Sequence, residues 1–360
     1  MIHRRHIQRE VVAASLLILA GFIALFGFFD LLGELRDVGK GSYRLTQAVF
    51  YTLLILPGRI YELMPVAVLI GTLYALSTLA RHSEITVLRA SGLSTWRLLV
   101  VLFRAAAWFA LAAFLIGEVV APASEQAAKT LRVKAISGVV AQDFRSGLWV
   151  KDGPNFVNVK QVMPDGELRG VRIYQFDPEL RLVAVSDAET GTYLDGGNPD
   201  GNWRLDQVVS TRFEGERATV DKRPELFWRS ALSPEILTVL LVDPDRMSVL
   251  SLVTYIRHQA ENKLRTDAYE IALWKKLAYP FASLVMVALA LPFGYTHSRV
   301  SGVALKLFGG VMLGVFFHML NGLFSSLGVI NSWPPLASAF APTILFMFAA
   351  GAMLWWVERR

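Results

Sequence analysis

Residues 148–162, "LWVKDGPNFVNVKQV", decide the fold. Apolar and polar residues alternate on both sides of Asp152-Gly153-Pro154-Asn155. Period-2 alternation on each side of a turn-forming tetrapeptide predicts two paired strands. The same rhythm continues through "GVRIYQFDPELRLVAVSDAETGTYL", with a second turn at Asp177-Pro178. It pauses in the loop "GGNPDGNW" and resumes in "WRLDQVVSTRF". Several short strands at this spacing predict a sandwich or jelly roll between about Val139 and Arg229. Such a sheet either encloses an apolar groove or offers its edges to another chain's strands.

Outward from this block the pattern changes to continuous apolar runs. About 20 apolar residues cross a bilayer as a helix. Six runs qualify: Val11–Leu32, Leu63–Ala80, Leu98–Ala121, Ile271–Pro292, Gly302–Leu323 and Leu336–Val357. The stretch Ala48–Leu56 is too short to cross. It is expected to pack at the outer interface, as a continuation of the second span broken at Pro57-Gly58. The expected fold class is thus an α-helical membrane protein with six transmembrane helices and an all-β, jellyroll-like domain inserted between helices 3 and 4. The boundaries are 1–121 for helices 1–3, 122–266 for the insert and 267–360 for helices 4–6. The basic segment Met1–Glu10 precedes a first run too long for a cleavable signal, so it reads as an uncleaved anchor.

Charge sets the orientation. Arg4, Arg5 and Arg9, then Arg81, Arg89 and Arg97, then Arg299 and Lys306, then Arg359 and Arg360 fall on one side of a six-span chain. The positive-inside rule makes that side cytoplasmic, with both termini inside and the insert outside. Hydrophobic residues make up 54% and the formal net charge is +6. Basic cytoplasmic loops account for that excess, so no nucleic-acid partner is expected. There is no cysteine, which excludes thiol chemistry and cysteine metal sites. The six histidines lack ligand spacing, and no GxxxxGK[ST], HExxH or GxSxG occurs. No catalytic or metal-binding residue is expected, and any energy source belongs to a partner.

Three groups of residues remain as candidates. "ARHSEITVLRASGLSTWR", between spans two and three, predicts a short helix ended near Gly92, with Ile85, Leu88 and Val87 forming an apolar ridge beside Glu84 and Arg89. Cations near the outer surface, namely Arg36, Lys40, Arg59, Lys129, Arg132, Lys134, Lys275 and Lys276, are suited to phosphates or acidic sugars. On span five, Gly310 and Gly314 form GxxxG, which permits close helix contact, and His318 and Asn321 are polar groups expected to face protein. "DPDRMSVLSLVTYIRHQ" predicts a helix over about 248–263, capped near Ser248, with Leu252, Val253 and Ile256 on one face.

Taken together, "KGSY" (Lys40–Tyr43), "ARHSEITVLRASG" (Ala80–Gly92), "GEVVAP" (Gly117–Pro122), "LWVKDGPNFVNV" (Leu148–Val159) and "DPDRMSVLSLVTYIRH" (Asp243–His258), with Tyr269, Trp274, Lys276 and Pro280, resemble the YjgP/YjgQ permeases of the lipopolysaccharide exporter. This is the LptF/LptG family, and the resemblance is to its LptG branch. It implies a non-catalytic subunit in the inner membrane of a Gram-negative bacterium, with the insert in the periplasm. The implied partners are the paralogous permease LptF, a dimer of the ATPase LptB that holds ATP and Mg, and LptC with the periplasmic bridge it begins. The implied cargo is lipopolysaccharide, extracted from the outer leaflet of the inner membrane. The resemblance makes Arg81–Gly92 a coupling helix, with Arg81, Glu84, Leu88, Arg89 and Gly92 as its contact residues. It makes spans one and five gate helices: Phe26 and Phe29 on the first, and Gly310, Gly314, Phe317, His318 and Asn321 on the second. Arg36, Lys40, Lys129, Arg132 and Lys134, with Phe26 and Phe29, are the implied lipopolysaccharide contacts. Asp30 and Asp37 stand where related chains can have lysine, which thins the cation cluster on span one. The other class of function is a membrane scaffold whose β domain recruits periplasmic partners without passing lipid.

Overall fold

The computed structural model describes residues 2–92, 94–136, 147–163, 166–177, 179, 181–194, 202–215, 217–230, 232, 244–261, 264–295 and 303–359. Among these, six helical stretches are long and apolar enough to cross a membrane, three on each side of a β domain. Helix α1 is Ile2–Leu35 and α2 is Leu45–Arg81. After the short α3 (Glu84–Ala90) comes α4 (Thr95–Leu115), which passes through a π turn, Ile116–Val120, into α5 (Ala121–Ile136). Beyond the sheet come α6 (Val249–Glu261), α7 (Asp267–Tyr295), α8 (Val303–Asn331) and α9 (Pro335–Glu358).

Two boundaries differ from the sequence reading. Helix α2 does not break at Pro57-Gly58; it runs unbroken for 37 residues. Proline removes only one helical hydrogen bond and disfavours the preceding turn locally. Here the helix is held just beyond the proline: Gly58 is buried, with the Glu125 side chain of α5 packed against it. The third span likewise continues in helix past residue 121 to Ile136, and the first described strand begins at Leu148.

Burial divides the spans into two kinds. In the most apolar windows of spans two and four, 72% of residues are buried within this chain. For spans one, five and six the shares are 22%, 28% and 28%. Spans two and four therefore form the core, where Leu69, Leu73, Met286 and Leu289 interdigitate. Spans one and five turn large apolar side chains outward, among them Leu17, Phe29, Phe308 and Val315.

The β domain holds six strands, Leu148–Asp152 (β1), Asn155–Val162 (β2), Leu168–Phe176 (β3), Leu182–Tyr193 (β4), Trp203–Glu214 (β5) and Arg217–Trp228 (β6). All neighbours are antiparallel and the spatial order follows the chain, β1 to β6. The insert is all-β as expected. The described strands are joined as a meander, without the crossovers between distant strands that a jelly roll carries. Alternation places Val157, Val159, Leu168, Val171, Ile173, Leu205 and Val208 on one buried face around Trp203. The indole N–H of Trp203 donates to the Leu232 carbonyl at 2.8 Å, which closes the chain leaving β6 over that face. Backbone pairing lapses along one row, Lys160–Gly170–Glu189–Gln207–Pro224. Gly170 and Gln207 have φ of +63° and +54° there, and Pro224 has no N–H to give. The row is a crease across five strands.

Candidate functional site

At the cytoplasmic end of the expected topology, α2 ends at Arg81 and turns through Ser83, at φ +61°, into α3. Glu84 opens α3 and lies 3.2 Å from the His6 ring at the start of α1. Ile85 is buried and Leu88 half-buried against the core of α1, α2 and α4. The apolar ridge is therefore split: Ile85 and Leu88 anchor the helix inward, while Val87 points away and is 66% exposed. The i, i+3 pair takes the buried face, so Val87 falls on the opposite side of a single helical turn. The side chain of Arg89 lies outside the described residues. Gly92 has φ +90°, where a glycine ends the helical run without a Cβ clash.

At the other end the cations are largely engaged by acids of the same chain. Arg59, on α2, makes a two-pronged bond to Asp30 on α1 at 2.9 and 2.8 Å, and reaches Glu62 at 3.0 Å. Arg132 on α5 contacts Asp37 and lies 3.4 Å from Glu34. Lys40 donates to Asp37 at 2.6 Å, and Tyr43 donates to Glu34 at 2.9 Å. Lys40 and Arg132 hold the Asp37 carboxyl below the usual carboxylate range, against a small opposing effect of burial. Burial and the adjacent Glu34 raise the Tyr43 phenol. Lys129 sits one turn from Glu125 and interacts with it electrostatically. Arg36 is exposed and has no ion pair among the described residues. Lys134's side chain lies outside them. Asp30 and Asp37 thus do more than thin the cluster: they bind its arginines.

On span five, the two glycines face this chain's own α2. A Cβ on Gly310 would lie 2.4 Å from Leu73, and one on Gly314 would lie 2.5 Å from Val66. Phe317 is buried against Phe346 of α9, 5.1 Å between ring centres. Asn321 is buried and donates to the Phe317 carbonyl at 3.0 Å. His318 is exposed at the edge of a cavity of about 250 Å³ that Asn321 also lines. The same cavity is bounded by Glu62, Glu125, Asp245, Arg246, Lys275 and Lys276. Phe26 and Phe29, on span one, are 37% and 58% exposed. On span five the apolar side chains that this chain leaves uncovered, such as Phe316, are thus separate from the glycine face, which is already occupied.

A family model described as lipopolysaccharide export system permease LptF/LptG matches residues 5–356. The chain belongs to this permease family. The permease is 30% identical, over 99% of its own length and 98% of the relative's, to lipopolysaccharide export system permease protein LptG of Escherichia coli K12. It shows the same identity to the LptG protein of Haemophilus influenzae over 99% and 98%.

Within the permease, sequence reasoning missed the ion-paired character of the rim and the polar cavity. Both bring together residues far apart in the chain, 29 positions for Asp30 and Arg59 and 95 for Asp37 and Arg132. The available signal was the set of acids inside or flanking spans: Asp30, Glu62, Glu118 and Glu125, each of which needs a cation or polar partner near a bilayer. The inward face of α6 also differs from expectation. Leu252, Tyr255 and His258 are buried, whereas Val253 is half-exposed and Ile256 intermediate. Ser248 does cap the helix, accepting from the Ser251 N–H at 3.1 Å.

Proposed function

We propose that this chain is a permease subunit that moves lipopolysaccharide from the inner membrane towards the outer membrane of a Gram-negative bacterium. It works with a second permease of the LptF type and draws energy from ATP, with Mg, on an LptB-type ATPase dimer. The chain itself is non-catalytic. The observation that carries this reading is the family match across residues 5–356, coupled to three membrane helices, spans one, five and six, whose apolar sides are largely left open. An isolated six-span bundle would cover such surface or give it to lipid; half of a two-chain cavity leaves it for acyl chains.

In this reading both termini and α3 are cytoplasmic and the β domain is periplasmic. Lipid enters sideways past spans one and five. Its acyl chains lie against Phe26, Phe29 and neighbouring apolar groups, and its phosphates are met by Arg36, Lys40, Lys129, Arg132 and Lys134 through charge-assisted bonds. The ATPase docks on Arg81–Gly92, with Glu84, Arg89 and the outward Val87 in contact and Ile85 and Leu88 passing the movement to the bundle. The β domain receives the lipid and hands it to an LptC-type bridge.

The test is a proteoliposome holding this chain with its partner permease and ATPase, scored for ATP-dependent release of lipopolysaccharide. Glu84→Lys, with assembly checked by co-purification, is expected to stop release. Normal release in that variant overturns the coupling role. Photo-crosslinkers at Phe26 and Phe316 are expected to capture lipid; capture of protein alone favours a scaffold that passes no lipid.

A further inference from the structure

Where the chain returns from the β domain to the membrane, four successive contacts hold it, each from a membrane helix. Lys275 of α7 bonds Asp245 at 2.8 Å. Glu125 of α5 lies 3.5 Å from Arg246. Lys276 of α7, only 7% exposed, donates to the Met247 carbonyl. Glu118, in the π turn of span three, accepts the Val249 N–H with both oxygens at 2.8 and 3.0 Å, and lies 3.6 Å from Lys276. Val249 is the first residue of α6, so an anion from another span sits at that helix's start, where the dipole favours it. Nearly two turns further on, Tyr255 of α6 is part of the β-domain core and its ring lies tilted against that of Tyr269 of α7, 4.4 Å between ring centres. Helix α6 is thereby fixed at its start to spans three and four, packs through Leu252 on α7, and meets the β-domain core through Tyr255.

The π turn is what aims Glu118. A π turn adds one residue to an α-helix and is stable mainly where that residue serves a role. Its extra residue rotates Glu118 to the side where α6 begins. A solvated loop would have spared the chain the desolvation of Glu118 and Lys276.

We infer that Glu118 and Lys276 are a positioning pair that makes the β domain move as one body with spans three and four during each transport cycle. This inference rests on the transport reading above. Neither residue touches lipid or nucleotide in this assignment; both act through the Asp245–Val249 segment.

The experiment uses the full complex in nanodiscs. Spin labels at Val119, on the outer end of span three, and Arg217, at the tip of the β5–β6 hairpin, report the distance between the two bodies with and without ATP-vanadate. Glu118→Gln keeps the shape and one acceptor for the Val249 N–H while removing the charge. Wild type is expected to give one narrow distance distribution in both states. Glu118→Gln and Lys276→Met are expected to broaden it, to keep ATPase activity, and to slow lipopolysaccharide release about 2- to 30-fold, the span of single-residue coupling effects. Glu118→Asp, which keeps the charge, is expected to restore much of the narrow distribution. Unchanged distances in Glu118→Gln overturn the inference, as does slowed release with unchanged distances. A wild-type complex that releases no lipid overturns the transport reading instead, because the distance measurement needs no lipid.

Discussion

Replacing Arg59 with methionine is expected to loosen the C-terminal half of span one. In the structure Arg59 is 28% exposed and Asp30 16%, and their two-pronged bond joins α2 to α1. Exposed pairs contribute about 0–1 kcal/mol, and breaking a buried one costs about 3–5 kcal/mol because a charge is stranded. This pair lies between those limits, so the loss is about 2–3 kcal/mol. The remaining polar ties of the outer end, Tyr43 and Arg132 to Glu34, are left intact, and the effect should stay local. At about 1.4 kcal/mol per tenfold, opening of residues 22–35 becomes about 30- to 160-fold more frequent. Hydrogen exchange in nanodiscs, in the regime where rate follows the open population, reads that factor directly. Residues 5–20, whose Ile7 and Val11 are buried in the main core, should not change. The Asp30→Asn/Arg59→Met double variant should recover most of the loss, since the more buried charge, Asp30, is then removed and Glu62 is open enough to be solvated. Unchanged exchange in Arg59→Met, or a double variant as loose as the single, would refute the reasoning.

Three further outcomes are expected. The Asp37 carboxylate is held below its ordinary range by Lys40 and Arg132, so its contribution is present above the unfolded carboxylate pKa and is lost as pH falls through the lowered folded value. Distances between labels at Val38 and Thr130 should therefore hold from pH 7 to about 5 and widen only below about 4, the free aspartate range, and Asp37→Asn should widen them at every pH. Gly71→Ala places a Cβ 2.4 Å from the Ser15 Cα, a backbone atom that cannot swing aside, and should lower stability by about 1–3 kcal/mol with a matching fall in Tm. Trp203→Ala removes a fully buried ring and its bond to Leu232, and should cost the β domain about 3–5 kcal/mol, seen as loss of near-ultraviolet circular dichroism while the helical signal remains.

The parts that were legible in the sequence are those in which a local rule dominates. A bilayer imposes run length, so all six spans were visible as apolar stretches. A half-buried sheet imposes period 2, so the strands around Gly153 were visible as well. The break read at Pro57-Gly58 applied a local rule where the packing of Gly58 against Glu125 of α5 wins. The GxxxG pair on span five was visible as a small-residue face, but nothing in its spacing says that Leu73 and Val66 of the same chain fill it. The rim was read as a count of cations because the acids that pair with them are distant in sequence. The π turn at Ile116–Val120, Ile-Gly-Glu-Val-Val, is weak in helix formers, but such a composition inside an apolar run does not distinguish a π turn from an ordinary stretch of membrane helix.

The unbroken course of α2 carries a mechanical consequence. At 1.5 Å per residue its 37 residues measure about 55 Å, against a hydrocarbon layer of about 30 Å. One end meets α3 and the other reaches the charged rim beside α1 and α5. Such a rod is a lever: a tilt of about 1° about one end displaces the other by about 1 Å, as its length of 1.5 Å per residue requires. Hydrogen bonds at the rim, with donor and acceptor less than about 3.2 Å apart, are broken or made by displacements of that size.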